Sequence, residues 1–270
     1  MRIAVIVTTY NRPDALNAVL AGYLAQTDLN FELIIADDGS DQKTRNVVQT
    51  YQAVVPFSFK HVWHEDKGFR AAAIRNRAIL ATDADYIIFT DGDCIPQINF
   101  VEKHRQLAKA GYFVAGSRLL STESFTEMLL EQSDLILQWN SKQWLKARLH
   151  KQVNRVLPLF NMPHVLDCLR YLQAKRWKGA KTCNLGVWRD DLVKINGLDE
   201  MYTGWGMEDS DLVIRLLNLG IKHKSGRFAT AVLHLWHKEN DRSLLQKNIE
   251  QLNDLIVSNR TKAYVGLDRY

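Results

Sequence analysis

Tyr86-Ile87-Ile88-Phe89-Thr90-Asp91-Gly92-Asp93 is the stretch from which the rest of the chain can be read. Five residues of strand character run directly into two carboxylates separated by a glycine. A short apolar run bounded by turn residues fits a buried strand. In an open α/β sheet the ligand crevice lies outside the carboxyl ends of the strands. Carboxylates at i and i+2 across a glycine turn can converge there on one hard divalent cation. Asp91 and Asp93 therefore mark a candidate metal and phosphate site. An Asp-x-Asp alone is a common loop sequence, so its weight comes from its surroundings.

Upstream of that strand the signals alternate. Arg2 to Thr8 reads as a buried strand, and Pro13 opens a helix with Leu16, Val19, Leu20, Tyr23 and Leu24 on its inner face. Phe31 to Ala36 is the next strand, ending in Asp37-Asp38-Gly39-Ser40; a polar helix from about Asp41 to Tyr51 and a strand from Ser58 to Trp63 follow. Lys67-Gly68 precedes an Ala- and Arg-rich helix from Phe69 to Ala81. Beyond the central strand, Asn99 is placed to cap a helix to about Ala110, and Tyr112 to Ala115 reads as a strand. Strands separated by helices of this length predict a mostly parallel sheet built of right-handed crossovers. After Gly116 the pattern turns helical from about Ser124 through a basic segment, with few strand signals until Asn184-Leu185-Gly186-Val187-Trp188. The acidic stretch Glu208-Asp209-Ser210-Asp211 begins a helix to Leu219, Phe228 to Trp236 reads as a final strand, and a polar helix spans Arg242 to Val257.

At 270 residues and 46% hydrophobic the chain can bury a full core. Its longest apolar runs fall well short of the roughly 18 to 20 residues of a membrane span, and Met1-Arg2 leads into a strand with no cleavage pattern. The expected location is cytoplasmic. Cys94, Cys168 and Cys183 have no zinc-site spacing and are expected as reduced thiols. The net charge of +5 is unevenly spread: Lys142 to Lys181 carries ten Lys or Arg against Asp167 alone, leaving −4 for the remainder. That segment interleaves bulky apolar residues with its cations, as interfacial segments do, although a solvated basic face around core helices has the same composition.

Four strand ends carry polar residues toward the same expected edge: Thr8-Thr9-Tyr10, Asp37-Asp38-Gly39-Ser40, Asp91-Gly92-Asp93 and His234-Leu235-Trp236-His237. A nucleotide-sugar needs an acceptor for its base amide proton, hydroxyl partners for its ribose and a cation for its diphosphate. This set offers each. With Val7-Thr8-Thr9-Tyr10-Asn11-Arg12, Ile35 to Ser40, Lys67-Gly68 followed by Arg75-Asn76, and Asp91-Gly92-Asp93, the chain resembles a family 2 glycosyltransferase of the GT-A fold. Tyr202 to Asp211 resembles the acidic acceptor-site motif of metal-dependent galactosyltransferases, a combination found in bacterial chondroitin-polymerase-type domains. The matching motifs run from residue 7 to residue 237, and the basic segment alone has no clear counterpart.

The resemblance implies an α/β GT-A domain over 1–270: a nucleotide-binding half over 1–116, a helical basic insertion over 117–182, and an acceptor-binding half with a C-terminal helix over 183–270. Carried over, it places Thr8, Tyr10 and Arg12 beside the nucleotide, Asp38 or Asp37 on the uracil ring, Arg75 near the donor, Asp91 and Gly92 at the ribose or cation, and Asp93 on the metal. Asp209 would be the base, Glu208 an acceptor-hydroxyl ligand, and Trp205, Gly206 and Asn184 would line the acceptor. Asp, Gly and Ser are also what an ordinary turn prefers, and acids in a first helical turn are favoured by the macrodipole. His234 and His237, three apart, would point to opposite faces of a strand. Spacing does not decide which one binds metal, and a histidine ligand favours Mn2+ over Mg2+.

The implied reaction is inverting, metal-dependent transfer from a UDP-sugar to a glycan or glycolipid acceptor in bacterial envelope polysaccharide or lipopolysaccharide synthesis. Residues 142–181 would contact an anionic membrane at the inner face of the plasma membrane. Two other classes compete. A sugar-nucleotide nucleotidyltransferase would need a glycine-rich triphosphate loop that Thr8 to Pro13 lacks. A basic module binding membrane or nucleic acid is countered, for nucleic acid, by the acidic remainder and the absence of a recognised motif.

Overall fold

The structure, a computed structural model, describes residues 1–131, 136 and 139–270. In chain order its elements are β1 (Ile3–Thr9), α1 (Pro13–Leu24), β2 (Glu32–Asp37), α2 (Gln42–Gln52), β3 (Ser58–Trp63), α3 (Ala71–Leu80) and β4 (Tyr86–Asp91). Next come β5 (Cys94–Pro96), α4 (Phe100–Leu107), β6 (Tyr112–Ala115), β7 (Ser117–Leu120), α5 (Glu123–Glu131) and α6 (Ser141–Leu149). The chain continues through β8 (Asn184–Trp188), α7 (Arg189–Lys194), α8 (Glu208–Asn218), β9 (Lys222–Ser225), β10 (Ala231–His234) and α9 (Leu245–Ser258).

Seven strands form the main sheet in the order β3-β2-β1-β4-β8-β6-β9. β3, β2, β1 and β4 run parallel, and β8 is antiparallel to both of its neighbours. The order reverses at β1, where β2 lies on one side and β4 on the other, and an open sheet of this kind gathers ligands at such a point. Register fixes the rim: Thr9 pairs with Asp37 and Thr8 with Asp91. Apolar clusters cover the two faces. Val5, Val7, Leu33, Ile35 and Ile88 pack under α1, while Ile6, Ile34, Ile87 and Phe89 pack under α3 and α8. The unbroken apolar run Tyr86–Phe89 in β4 follows from this two-sided burial.

A second sheet, β5-β10-β7, lies beyond the end of β4. Its pairing sets His234 opposite Cys94, one residue past Asp93. β5 and β7 lie outside the sequence reading, because three residues containing a proline and the four residues Ser117–Leu120 are too short to show a period. β9, the polar run Lys222–Ser225, carries no alternation either. Asn99 precedes α4 as expected, but its side chain makes no capping bond, and the helix stops at Leu107. Within the basic segment only Ser141–Leu149 is α-helical; Leu157–Leu159 and His164–Tyr171 are short 3-10 turns. The helix expected from Ser124 is seen to Glu131, and its continuation over 132–135, 137 and 138 lies outside the described residues.

Candidate active site

The site is built around one buried arginine. Arg75, on α3, donates from Nε to Thr8 Oγ1 at 2.9 Å and from Nη2 to Asp91 Oδ1 at 3.0 Å. Its Nη1 lies 3.6 Å from Glu208 Oε1. One guanidinium thus ties the ends of β1 and β4 to the start of α8. Gly92 closes the turn where backbones come nearest: its N–H donates to the Thr8 carbonyl at 2.7 Å, and a Cβ there would lie 2.9 Å from Thr9 Oγ1. A side chain would push β1 and the Asp91-Gly92-Asp93 turn apart.

Glu208 and Asp209 face this cluster from the first turn of α8. Glu208 is 8% exposed, and burial, reinforced by neighbouring Asp209, pushes its carboxyl up to about 7 against the pull of Arg75. Asp209 accepts a 2.5 Å hydrogen bond from the Thr182 hydroxyl. The third acid, Asp211, turns inward and pairs with Arg215 at 2.5 Å as the i, i+4 spacing predicts, both side chains fully buried. Only two of the three acids are therefore available to a ligand.

The loop before α8 is held from behind. Gly204, Gly206 and the helix-capping Met207 all have positive φ, at 71°, 106° and 76°. Asn248, fully buried on α9, donates from Nδ2 to the carbonyls of Thr203 and Gly206 at 3.1 and 3.0 Å. Trp205 is half-buried, with the Arg242 guanidinium 5.0 Å above its ring. Neither Thr182 nor Asn248 belongs to a motif or a periodic pattern, which is why sequence reasoning missed both.

Asp93, His234 and His237 converge. Their ligand atoms lie within 4.8 Å of one another, with His237 Nε2 3.5 Å and His234 Nε2 3.8 Å from the Asp93 carboxylate. The expectation that the histidines point apart is corrected here. β10 ends at His234, so the alternation of a strand does not extend to His237. One carboxylate and two imidazoles, all partly exposed, make a donor set that fits a divalent cation of borderline character.

Other predicted residues are placed differently. Asp37 is fully buried and spent on the Ser40 amide at 2.8 Å and the His61 ring at 2.9 Å. Asp38 accepts from the Arg70 amide at 2.8 Å and meets His64 Nε2 at 2.5 Å, its side chain 5% exposed. Both are buried, Asp38 slightly less completely than Asp37. Tyr10 is exposed and donates to Asp66 at 2.9 Å. Arg12 bonds Asp14 at the start of α1 and is not drawn into the cluster. Asn184 lines the wall of a cavity beside the end of β6, but its side-chain amide is spent on the protein. It is 2% exposed, donates to the Ser117 and Thr230 carbonyls at 3.0 and 2.9 Å, and accepts from His104 Nε2 at 3.1 Å, a structural fastening between the two sheets.

Comparison with known proteins matches residues 4–165 to the model of glycosyl transferase family 2, more than half of the chain. The chain belongs to this family. Residues 170–238 match a second model, described as the N-terminal domain of galactosyltransferase, which covers β8, α8 and both histidines. Among curated relatives, validoxylamine A glucosyltransferase of Streptomyces hygroscopicus subsp. jinggangensis is 26% identical over 81% of this chain and 52% of its own length. Chondroitin synthase of Escherichia coli is 27% identical over 88% of this chain and 34% of its own. The chain thus spans about half the length of these relatives or less. Two solved structures share the fold. The mannosyltransferase PcManGT of Pyrobaculum calidifontis, in complex with GDP-Man and Mn2+, superposes with a TM-score of 0.64 at 15% identity over 95% of this chain and 64% of that one. TarS 1-349 of S. aureus in complex with UDP superposes with a TM-score of 0.63 at 12% identity over 100% and 68%. The fold is that of the GT-A glycosyltransferases.

Proposed function

We propose that the protein transfers a sugar from a UDP-sugar to a glycan or glycolipid hydroxyl with inversion, in envelope polysaccharide or lipopolysaccharide synthesis. The observation that carries this reading is the convergence of Asp91, Glu208 and Asp209 on or beside Arg75 at the switch point of the sheet. The 1–116 half is read as donor site and 183–270 as acceptor side, with 117–182 between them. Thr8 and Tyr10 border the nucleotide, Asp38 accepts from the base, and Asp91 meets the ribose.

Asp93, His234 and His237 would hold a divalent cation, Mn2+ in preference to Mg2+ given two imidazoles. A bound cation there would neutralise charge on the departing diphosphate. Asp209, oriented by Thr182, takes the proton from the acceptor hydroxyl, a contribution of typically ~10²–10⁴-fold. Glu208 holds that hydroxyl in line, and Trp205 offers a face to a sugar ring. Incubation with a panel of UDP- and GDP-sugars, with and without Mn2+, should yield free UDP only in the complete mixture. GDP release in place of UDP would overturn the donor assignment, and no release from any sugar nucleotide would overturn transfer.

Residues 142–181 are read as a peripheral contact with an anionic membrane face. No helix among the described residues is long and apolar enough to cross a membrane, yet Leu149, Leu157, Val165 and Leu172 are exposed at 81%, 69%, 83% and 75% within this basic run. Each Lys or Arg near such a surface is worth roughly 1 kcal/mol. Co-sedimentation with anionic vesicles should fall as salt rises, and absence of binding at low ionic strength would remove the membrane from the reading.

A further inference from the structure

A cavity of about 240 Å3 opens between the end of β6, the start of β7, β9 and the loop leading into β8. Arg118, Arg155, Arg176, Lys178, Lys181 and Arg227 line it, and no acid does. Among the described residues none of these six forms an ion pair with a carboxylate. Two of the guanidiniums are instead fixed by neutral partners. Arg155 Nε donates to the Arg118 carbonyl at 3.2 Å, and Arg176 donates to the Lys178 carbonyl and Gln173 Oε1 at 3.0 and 2.9 Å. Cations gathered without counter-charge around a concave surface focus potential and favour an anionic ligand.

The position of the cavity bears on what that anion is. Lys181 and Cys183 line it, and Thr182 between them holds Asp209. The Cys183 thiol in the cavity wall lies within 4.8 Å of a carboxylate oxygen of Asp91. None of Thr8, Tyr10, Asp38, Asp93, His234 and His237 lines it, so it is separate from the residues read as holding the donor. We propose that this cavity seats a phosphate or diphosphate group of the acceptor, close to the hydroxyl that attacks. The assignment rests on the glycosyl-transfer reading above. Four arginines matter more than the charge count alone, since the guanidinium fork matches phosphate oxygens in pairs. A carboxylate carries a single charge and would leave most of the six cations unmatched.

His223 supplies a local reporter. Its ring lines the cavity, stacks on Phe113 at 5.3 Å and is bonded through Nδ1 to the Gln173 carbonyl. Burial, and then the repulsion of Arg176 and Arg227, holds it below the ordinary histidine value. An anion seated beside it would raise its titration midpoint.

The test is titration of the full chain with inorganic pyrophosphate in EDTA, which keeps any cation-dependent site out of the measurement. Binding should weaken with salt, raise the His223 midpoint by NMR, and fall at least tenfold in Arg118→Ala/Arg227→Ala, with Arg118→Lys/Arg227→Lys retaining most of it. Cation-dependent UDP binding should be unchanged in both double variants, which separates failure of this inference from failure of the donor reading. Farnesyl diphosphate binding more tightly than pyrophosphate would assign the group to a lipid-linked acceptor, and a sugar 1-phosphate doing so would assign it to a soluble glycan. Equal pyrophosphate affinity in the parent and the alanine variant, an unmoved His223, or glucuronate binding as tightly as pyrophosphate would each overturn the proposal.

Discussion

The Thr182 hydroxyl donates to the Asp209 carboxylate at 2.5 Å, so the expected base is oriented by a residue at the mouth of β8 and not by its own helix. Asp209→Asn keeps size and hydrogen bonding but removes proton acceptance. Turnover should fall ~10²–10⁴-fold with donor affinity nearly unchanged. Thr182→Val should cost about tenfold in turnover, in keeping with the loss of one charge-assisted bond. If Asp209→Asn turns over normally while Glu208→Gln does not, the two roles are exchanged; if both stay active, the acids serve only as a helix start.

Asp93→Ala should abolish cation-dependent UDP binding while leaving the melting temperature of the cation-free protein within a few degrees, because the side chain is partly exposed beyond the end of β4 and outside the apolar core. His234→Ala and His237→Ala should each weaken Mn2+ binding, since both rings face the same carboxylate. Calorimetric titration with Mn2+ checks this. An unchanged affinity in both histidine variants would take imidazole out of the coordination shell.

Asn248→Ala removes two hydrogen bonds from the loop that carries Trp205. Leaving the Thr203 and Gly206 carbonyls unpaired should cost about 1–3 kcal/mol of stability. The acceptor KM should rise more than the donor KM. Equal effects on both substrates would mean that the loop does not shape the acceptor side.

Two buried groups set opposing pH dependences. Glu208 is raised to about 7 by burial, so between its unfolded value near 4.5 and 7 the folded state binds more protons and stability falls as pH rises. His104 is held at about 4 by burial, so between 4 and 6.5 the unfolded state binds more protons and stability falls as pH drops. Glu208→Gln removes the first effect alone. Its melting temperature relative to the parent should climb from pH 4.5 to 7.5, and a pH-independent difference would contradict the buried, protonated Glu208.

The parallel half of the sheet was legible because β1, β2 and β4 are apolar on both sides and end in polar residues of the kind that mark a strand's end. Asp91 could be found in the same way, by type and position at the end of β4, whereas Arg75 on α3 and Glu208 at the start of α8 came from the family resemblance. What escaped depends on partners distant in sequence. Thr182 and Asn248 matter through one and two bonds to other elements, and Asn184 looks like a polar strand end until His104, Ser117 and Thr230 take up both of its amide protons and one side of its oxygen. The histidine pair escapes the strand rule because β10 ends at His234 and His237 lies beyond it.

The pairing of Thr9 with Asp37 and Thr8 with Asp91 bears on specificity. Spacing across these rungs is dictated by amide geometry that any side chain inherits, so the rim behaves as a fixed rack, although Asp37, Thr8 and Asp91 are also tied to Ser40, His61 and Arg75. On the proposed reading, a different nucleotide or sugar would be met by changing side chains on this rack and not its spacing. The loop pinned by Asn248 has no such freedom: its contour is written in side-chain bonds, so a change of shape there involves both α8 and α9.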